Sequence, residues 1–341
     1  MKTVPVQEAV GMVLCHDITK IVPGEFKGRA FAKGHVVKEE DIEELLKIGK
    51  EHIYVWDLPV GCLHEDEAAE RIARAARGSG IELTTPNQGK IELRAAFDGL
   101  LTVNKEVLAK VNSLEGVALA TRRSNLAVAR GQVVAGTRVI PLVIEEELIE
   151  CVERFCRESQ GIIRVKPFRP LKVGLVTTGS EVFHGRIKDK FAPIIERKLE
   201  KFGSQIFRQI GVTDDVQQIS AAIIELVTQG AEAVCVSGGM SVDPDDVTPT
   251  GIRNTSAEVI TYGVPVLPGS MFMLAYLDSV PIMGLPGCVM YERTTIFDLV
   301  LPQIVAGERI ERQDLVNLGY NGLCLGCDDC RYPMCPFGSG A

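Results

Sequence analysis

The pattern of apolar and polar positions changes character near residue 170. Beyond it, short apolar runs alternate with stretches at helical spacing. Val173–Val176 and Ala233–Val236 are compact apolar runs of the kind buried on both faces of a sheet. Gln205–Ile210 reads as a further strand, and Val264–Pro268 and Val280–Gly284 are strand-like. Between them the spacing predicts a helix over Phe191–Phe202, with Asp189 near its cap, Pro193 in its first turn and Gly203 past its end. A long helix follows Asp214 and Asp215; its stripe is Val216, Ile219, Ile223 and Val227, and Gly230 stops it. A last helix is expected over about Cys288–Val305. Strands alternating with helices in this way predict an α/β fold, a mostly parallel sheet covered on both faces.

Upstream the pattern is less regular. Residues 37–49 form a helix, with Glu39, Glu40 and Asp41 at its start and Ile42, Leu45 and Leu46 on its apolar face. His52–Trp56 alternates like a strand, and Glu65–Arg77 is helical with little apolar face beyond Ile72 and Ala76. Short β-type runs at Lys90–Ala95, Gly99–Val103, Gly116–Ala120 and Gln132–Ile144 suggest a β-rich, barrel-like part. A helix over about Ile144–Arg157 carries Ile144, Leu148, Val152 and Phe155 at helical spacing. Pro167 and Pro170 mark a boundary. The expected organisation is a mixed α+β region over 1–168, an α/β domain over 169–309 and a cysteine-rich tail over 310–341. No cluster of chemistry stands out in the first region, which reads as scaffold and dimer surface.

Composition narrows the function classes. Hydrophobic residues make up 46% and charged residues 24%, ordinary for a soluble globular protein. Lys plus Arg total 37 against 45 Asp plus Glu, a net charge of −8 with no basic block, which argues against nucleic acid as a partner. No apolar run reaches the roughly 18 residues that span a bilayer, and the first residues hold no apolar signal core, so a cytoplasmic protein without a membrane partner is expected. Ten cysteines change the picture. Six are scattered, and Cys324, Cys327, Cys330 and Cys335 crowd the C-terminus at C-x2-C-x2-C-x4-C spacing. Bacterial ferredoxins have x3 before the last Cys and a Pro after it, and here Pro336 follows Cys335. Four thiolates suit zinc or an iron–sulfur cluster, and the spacing does not separate the two.

The candidate site centres on Ser237–Pro249, where Gly238 and Gly239 open a turn after a strand, Ser241 adds a hydroxyl, and Asp243, Asp245 and Asp246 follow within a few residues. Comparable turns follow two other strands, at Thr178-Gly179-Ser180-Glu181 and Leu285-Pro286-Gly287, and Asp214 follows a fourth. In a doubly wound sheet such turns share one edge and frame one pocket. Hydroxyls and backbone N–H groups suit a phosphate there, and carboxylates suit Mg²⁺ bridging to it. Asp215 reads as a helix cap.

These pieces, with Gly185-Arg186-Ile187-Lys188-Asp189 and Leu267-Pro268-Gly269-Ser270, resemble in order the molybdopterin-binding domain shared by the molybdopterin adenylyltransferases and molybdopterin molybdenumtransferases. The resemblance covers about Lys172–Gly307, and the run Val4–Ile18 is similar to the opening of the molybdenumtransferases. It implies a three-layer domain with a pocket for a pterin, its dithiolene and its phosphate or adenylate. It also implies hydrolysis of adenylylated molybdopterin as molybdate is inserted with a divalent cation. By position, Glu181, Asp214 and Asp246 match catalytic acids, with Asp214 and Asp246 holding Mg²⁺. Asp243 and Asp245 are then solvated neighbours. Thr178, Gly179, Ser180, Gly238, Gly239, Ser241, Pro268, Gly269, Pro286 and Gly287 match the substrate-facing turns. A homodimer, and a molybdoenzyme or other cofactor-pathway protein as partner, are further implications. The chain departs from the pattern in three places. Leu267 and Ser270 stand where lysines are usual, Cys288-Val289 replaces Asn-Pro, and Asp189-Lys190-Phe191 replaces Asp-Ser-Asn. Two readings follow: a molybdenumtransferase-like enzyme, favoured by the three acids, or a carrier or sensor of the pterin or cofactor using a metal site in its tail, favoured by the missing lysines.

Overall fold

The computed structural model describes residues 2–22, 24–56, 59–87, 89–159, 161–179 and 189–340. The chain divides into two compact units. Met1–Ala96, Val103–Arg122 and Arg130–Val165 form the first, and Phe97–Thr102, Arg123–Ala129 and Lys166–Ala341 the second.

In the first unit, Lys2–Pro5 pairs antiparallel with His52–Val55 over a small core of Val4, Leu14, Leu45 and Ile53. The β-rich part is a four-stranded antiparallel sheet in the order Ile81–Leu83, Lys90–Ala95, Val133–Val139, Val117–Thr121. Its outer two strands remain edges among the described residues, so it is an open sheet where the sequence suggested a barrel. The helix Glu65–Ala76 buries Ala68, Ala69, Ile72, Ala73 and Ala76 completely. Small side chains supply this apolar face, which is why it looked thin in sequence. Arg71 ties it to the helix Glu146–Glu158 through Glu146 (2.7 Å) and Glu153 (2.8 Å). A helix at Lys105–Asn112 falls where only β-type runs were expected; Asn104 caps it by accepting the Val107 N–H at 3.1 Å.

The second unit is built on a six-stranded sheet. Its strands in chain order are β1 (Lys172–Thr178), β2 (Gln205–Val212), β3 (Ala233–Ser237), β4 (Glu258–Tyr262), β5 (Met273–Leu277) and β6 (Val280–Leu285). They lie in the order β2-β1-β3-β6-β5-β4. The pairings β1–β2, β1–β3 and β3–β6 are parallel, and β5 and β4 add an antiparallel pair at one side. The helices are α1 (Ala192–Glu200), α2 (Val216–Thr228), α3 (Thr248–Asn254), α4 (Ile296–Val305) and α5 (Arg312–Asn317). Alternate residues of the strands serve opposite faces. Val173, Leu175 and Cys235 pack with Ile195 and Leu199 of α1 and with Phe297 and Val300 of α4. Val176, Val234 and Val236 pack with Ile219 and Ile223 of α2 and Ile252 of α3. Both faces of the sheet are therefore covered by helices.

Two expected elements differ. Val264–Pro268 is not a strand: Val264 N–H bonds Ser270 O (2.9 Å), and Leu267 N–H bonds Gly322 O (2.8 Å), outside the sheet. The single helix expected over 288–305 is two pieces, a short 3-10 turn at Gly287–Met290 and then α4. The break follows from a capping box, in which Thr295 and Asp298 satisfy each other's backbone N–H groups and fix a new helix start. The C-terminal residues, expected as a separate tail, pack into the α4 side of this unit; Ile310, Leu315 and Phe337 join its core.

Candidate functional site

Parallel pairing carries the carboxyl ends of β1, β2, β3 and β6 to one edge of the sheet. The register is direct: Thr177 lies opposite Gly211 on one side and Ser237 on the other, and Ser237 lies opposite Leu285. Thr178-Gly179, Thr213-Asp214, Gly238-Gly239 and Pro286-Gly287 are the next residues of their strands or turns, so these turns share that edge. Antiparallel β5 begins there too, since Met273 pairs with Gly284, and this brings in the preceding turn with Pro268 and Gly269. Ser180 and Glu181 lie outside the described residues.

The strand order reverses between β1 and β3. β1 leads to β2 on one side, and the chain then returns to place β3 on the other. At such a switch the connections leave on opposite faces of the sheet and open a crevice. Here α1 covers one face and α2 the other. The crevice is where Thr178 meets Gly238 and Gly239. Thr178 is buried, and its hydroxyl lies 3.4 Å from that of Thr248, which is also buried. Gly238 has φ +93°, and a Cβ there would stand 2.6 Å from both the carbonyl oxygen and the hydroxyl of Thr178. Gly239 has φ +55°, with its Cβ position 2.8 Å from Thr248 Oγ1. The two glycines thus let bare backbone approach a pair of threonine hydroxyls, and no other residue type fits without displacing them.

The acids separate by environment. Asp215 caps α2, its carboxylate accepting the Gln218 N–H at 2.9 Å, as the sequence indicated. Asp214 is half-buried at the end of β2. Asp246 is half-buried and folds back on its own loop, where one carboxylate oxygen accepts the Asp243 N–H (3.1 Å); Asp243 and Asp245 are exposed. Ser241 is exposed, and its carbonyl accepts the Tyr262 hydroxyl at 3.3 Å. Among the described residues, no group of three or more His, Cys, Asp or Glu is placed to hold a single metal ion. That holds for the four C-terminal cysteines. Those cysteines do share one cavity of about 320 Å³.

Two sets of interactions beside the crevice had little sequence signal. Asp189 accepts from Gln209 Nε2 (2.6 Å), from Thr177 Oγ1 (3.3 Å) and from the Phe191 N–H (2.7 Å), joining β1, β2 and the start of α1. Only the cap at Phe191 was legible. Lys198, buried in α1, places its ammonium 2.6 and 2.7 Å from the two carboxylate oxygens of Asp298 on α4 and donates to Arg293 O at 3.2 Å. The burial of this ion pair fixes the helices that flank the sheet on that face.

The first unit holds a polar cluster of its own that no motif announced. Lys33 Nζ lies 2.6 Å from Asp66 Oδ2, 2.8 Å from His64 Nδ1 and 5.5 Å from the Trp56 ring centroid. Trp56 stacks on His64 at 5.3 Å, beside an open cavity of about 1050 Å³. His64 Nδ1 faces two donors, Lys33 Nζ and the Asp66 N–H, while Nε2 donates to Cys15 O. That pattern requires neutral imidazole. Burial, reinforced by the Lys33 ammonium, pushes the His64 pKa below its ordinary value, and burial does the same to His16. With folded values depressed, the unfolded chain takes up protons first as pH falls. Stability from these groups is therefore complete above about pH 6.5 and declines below it. Unfolding midpoints measured from about pH 7.5 to about pH 5.5 should fall, and His64→Gln should flatten the slope. An unchanged slope in that variant would refute the neutral-imidazole assignment.

Residues 174–306 match the family described as "Probable molybdopterin binding domain", and residues 3–57 match a "Domain of unknown function (DUF8806)". A molybdopterin molybdenumtransferase of Haemophilus influenzae is 30% identical over 153 residues, 43% of this chain and 37% of that protein. One from Staphylococcus aureus is 23% identical over 245 residues, 70% of this chain and 53% of that protein. The chain thus spans between 37% and 53% of the length of these two curated relatives. Among solved structures, the molybdopterin biosynthesis MoeA protein of Pyrococcus horikoshii aligns at 16% identity and TM-score 0.34, over 89% of this chain and 74% of that one.

Proposed function

The chain carries a molybdopterin-binding domain and resembles the molybdopterin molybdenumtransferases, and from that premise we propose that its sheet-edge crevice binds molybdopterin or its adenylate in molybdenum cofactor biosynthesis. The observation that carries the reading is the meeting of Gly238 and Gly239 with Thr178 and Thr248 at the β1/β3 switch point. Bare backbone and hydroxyls at that place suit a phosphate or adenylate. Pro268, Gly269, Pro286 and Gly287 extend the edge along which the pterin lies.

In the full reading the reaction is molybdenumtransferase-like. Adenylylated molybdopterin is hydrolysed, AMP leaves, and molybdate is inserted at the dithiolene. Carboxylates are the donor type that Mg²⁺ prefers. Asp214 and the oxygen of Asp246 not taken by the Asp243 N–H would hold it, with Glu181 as the third catalytic acid. The ion would offset charge on the leaving phosphate. The chain's own part is to seat the phosphate on the glycine turn and keep its oxygens beside the threonine hydroxyls. A homodimer in the cytoplasm, serving a molybdoenzyme, belongs to the same reading.

One observation favours a second reading. Leu267 is exposed and Ser270 half-buried at the positions where the resembling family has lysines. Loss of two cations from an anion-handling site weakens transition-state stabilisation more than ground-state binding. The chain is then a carrier or sensor of the pterin or cofactor, with its four C-terminal thiols as a separate metal site. Incubation with adenylylated molybdopterin, molybdate and Mg²⁺ separates the two. AMP release supports the enzyme; tight pterin binding without AMP release supports the carrier. Absence of pterin binding overturns both.

A further inference from the structure

We propose that the cavity of the first unit binds a planar heterocycle through an edge of two adjacent N–H donors, the aminopyrimidinone edge that guanine and the pterins share. Asp17, Arg29, Lys33, Trp56, Glu65 and Asp66 line this cavity of about 1050 Å³, and all six belong to one compact unit. Among these lining residues charge is paired, with one exception. Arg29 Nη1 lies 3.4 Å from Asp17 Oδ2, and Lys33 Nζ lies 2.6 Å from Asp66 Oδ2. Asp17 also accepts the Lys33 N–H at 2.7 Å, and Asp66 accepts the Gly89 N–H at 2.9 Å. Glu65 is left over. It is only 5% exposed, and among the described residues its carboxylate accepts no hydrogen bond. Burial, with the Asp66 carboxylate beside it, holds its pKa above the ordinary value. A buried carboxylate without donors is costly, and this one stands on a cavity wall where a ligand can supply them.

The position of Glu65 is held by its backbone. It opens the helix Glu65–Ala76, and its N–H donates to Leu142 O at 2.9 Å. Gly89, at φ +68°, comes so close that a Cβ there would stand 2.6 Å from Glu65 Oε2, so glycine is what clears the carboxylate. The other wall is aromatic. Trp56 is 50% exposed, while His64 stacks on it with ring centroids 5.3 Å apart and planes at 21°. An exposed indole held flat in this way is a platform for a second flat ring. A small cation would also be drawn to a carboxylate and an indole face. The Lys33 ammonium, 5.5 Å from the Trp56 ring centroid, already takes that role and opposes a second positive charge. A neutral ring bearing N–H groups meets both requirements. The two oxygens of a carboxylate accept a parallel pair of N–H bonds, and guanine and pterin carry a ring N–H beside an amino group. Adenine instead sets an acceptor beside its amino group, so one lone pair would face a carboxylate oxygen.

The inference does not depend on what the sheet-edge crevice binds, and one residue lets the two be measured apart. Trp56 is the chain's only tryptophan, so its emission reports on this cavity. The test titrates the full chain with guanosine monophosphate, hydroxymethylpterin and adenosine monophosphate and follows that emission. Saturable quenching is expected from guanosine monophosphate, from hydroxymethylpterin or from both, with adenosine monophosphate weaker by about tenfold or more. Whichever of the first two binds more tightly identifies the source of the edge. Glu65→Gln keeps the size of the side chain but turns one acceptor into a donor, and should weaken binding by about tenfold or more. Trp56→Ala, followed by titration calorimetry, should lose affinity by about the same factor. Far-UV circular dichroism on each variant separates ligand loss from misfolding. No saturable quenching by either probe up to about 1 mM would overturn the proposal. Unchanged affinity in Glu65→Gln, or equal affinity for adenosine monophosphate, would do the same. AMP release from adenylylated molybdopterin, measured on the same preparations, reads the crevice separately, so failure of one reading is not mistaken for failure of the other.

Discussion

Replacing Asp298 with alanine should cost the second unit about 3–5 kcal/mol, the range for removing one partner of a buried ion pair. The Lys198 and Asp298 side chains are only 9% and 11% exposed, so the ammonium left behind would have little water to turn to. Asp298 also accepts the Thr295 N–H at 2.8 Å as half of the α4 capping box, and about 1 kcal/mol of the loss belongs to that cap. In a unit of this size each kcal/mol moves the midpoint by about 2–4 °C, so calorimetry should show a drop on the order of 10 °C. The double variant Lys198→Met with Asp298→Leu removes both charges and should lose less than Asp298→Ala alone. A single-variant loss below about 1 kcal/mol would show that the pair is solvated and does not clamp α1 to α4.

That pair also illustrates what local pattern leaves out. Lys198 sits on a helix that the sequence placed correctly and Asp298 in one placed only roughly, and the contact spans a hundred positions. The strands β1 and β3 were legible because parallel strands covered on both faces must be apolar throughout, and Val173–Val176 and Ala233–Val236 are. Val264–Pro268 has the same local pattern but bonds to Ser270 and Gly322, a choice made by chain entering the core from far downstream. The antiparallel edge, β4 and β5, went unread for a related reason: its neighbours and not its own periodicity make it a sheet. Asp215 was legible as a cap because capping is local. The Lys33–His64–Trp56 cluster was not, since its members come from three separate segments. The cysteine spacing was plain in sequence, whereas the bonds that hold its loop, Cys324 N–H to Leu267 O and Arg293 Nη1 to Asp328 O, involve residues outside the motif.

The glycine turn offers the sharpest test of the crevice, because its geometry is over-determined. Gly238→Ala must hold alanine at φ +93°, outside the small left-handed region open to L residues, at a cost of about 1–3 kcal/mol. Its Cβ must also displace Thr178, and overpacking of that kind costs about 1–3 kcal/mol more. Truncating the threonine hydroxyl cannot relieve it, because the backbone carbonyl of Thr178 is equally close at 2.6 Å. The change would push β1 and β3 apart at the switch point, so pterin affinity should fall at least tenfold alongside stability, a loss of about 1.4 kcal/mol or more in binding. Gly239→Ala provides the graded comparison. At φ +55° its backbone is within the left-handed region, and its nearest obstacle is the Thr248 hydroxyl at 2.8 Å, which Thr248→Ala removes. Gly239→Ala should therefore be milder and should recover part of its loss in the Thr248→Ala background, while Gly238→Ala should recover nothing there. Equal affinity in Gly238→Ala and the parent protein would place the ligand elsewhere than on this turn.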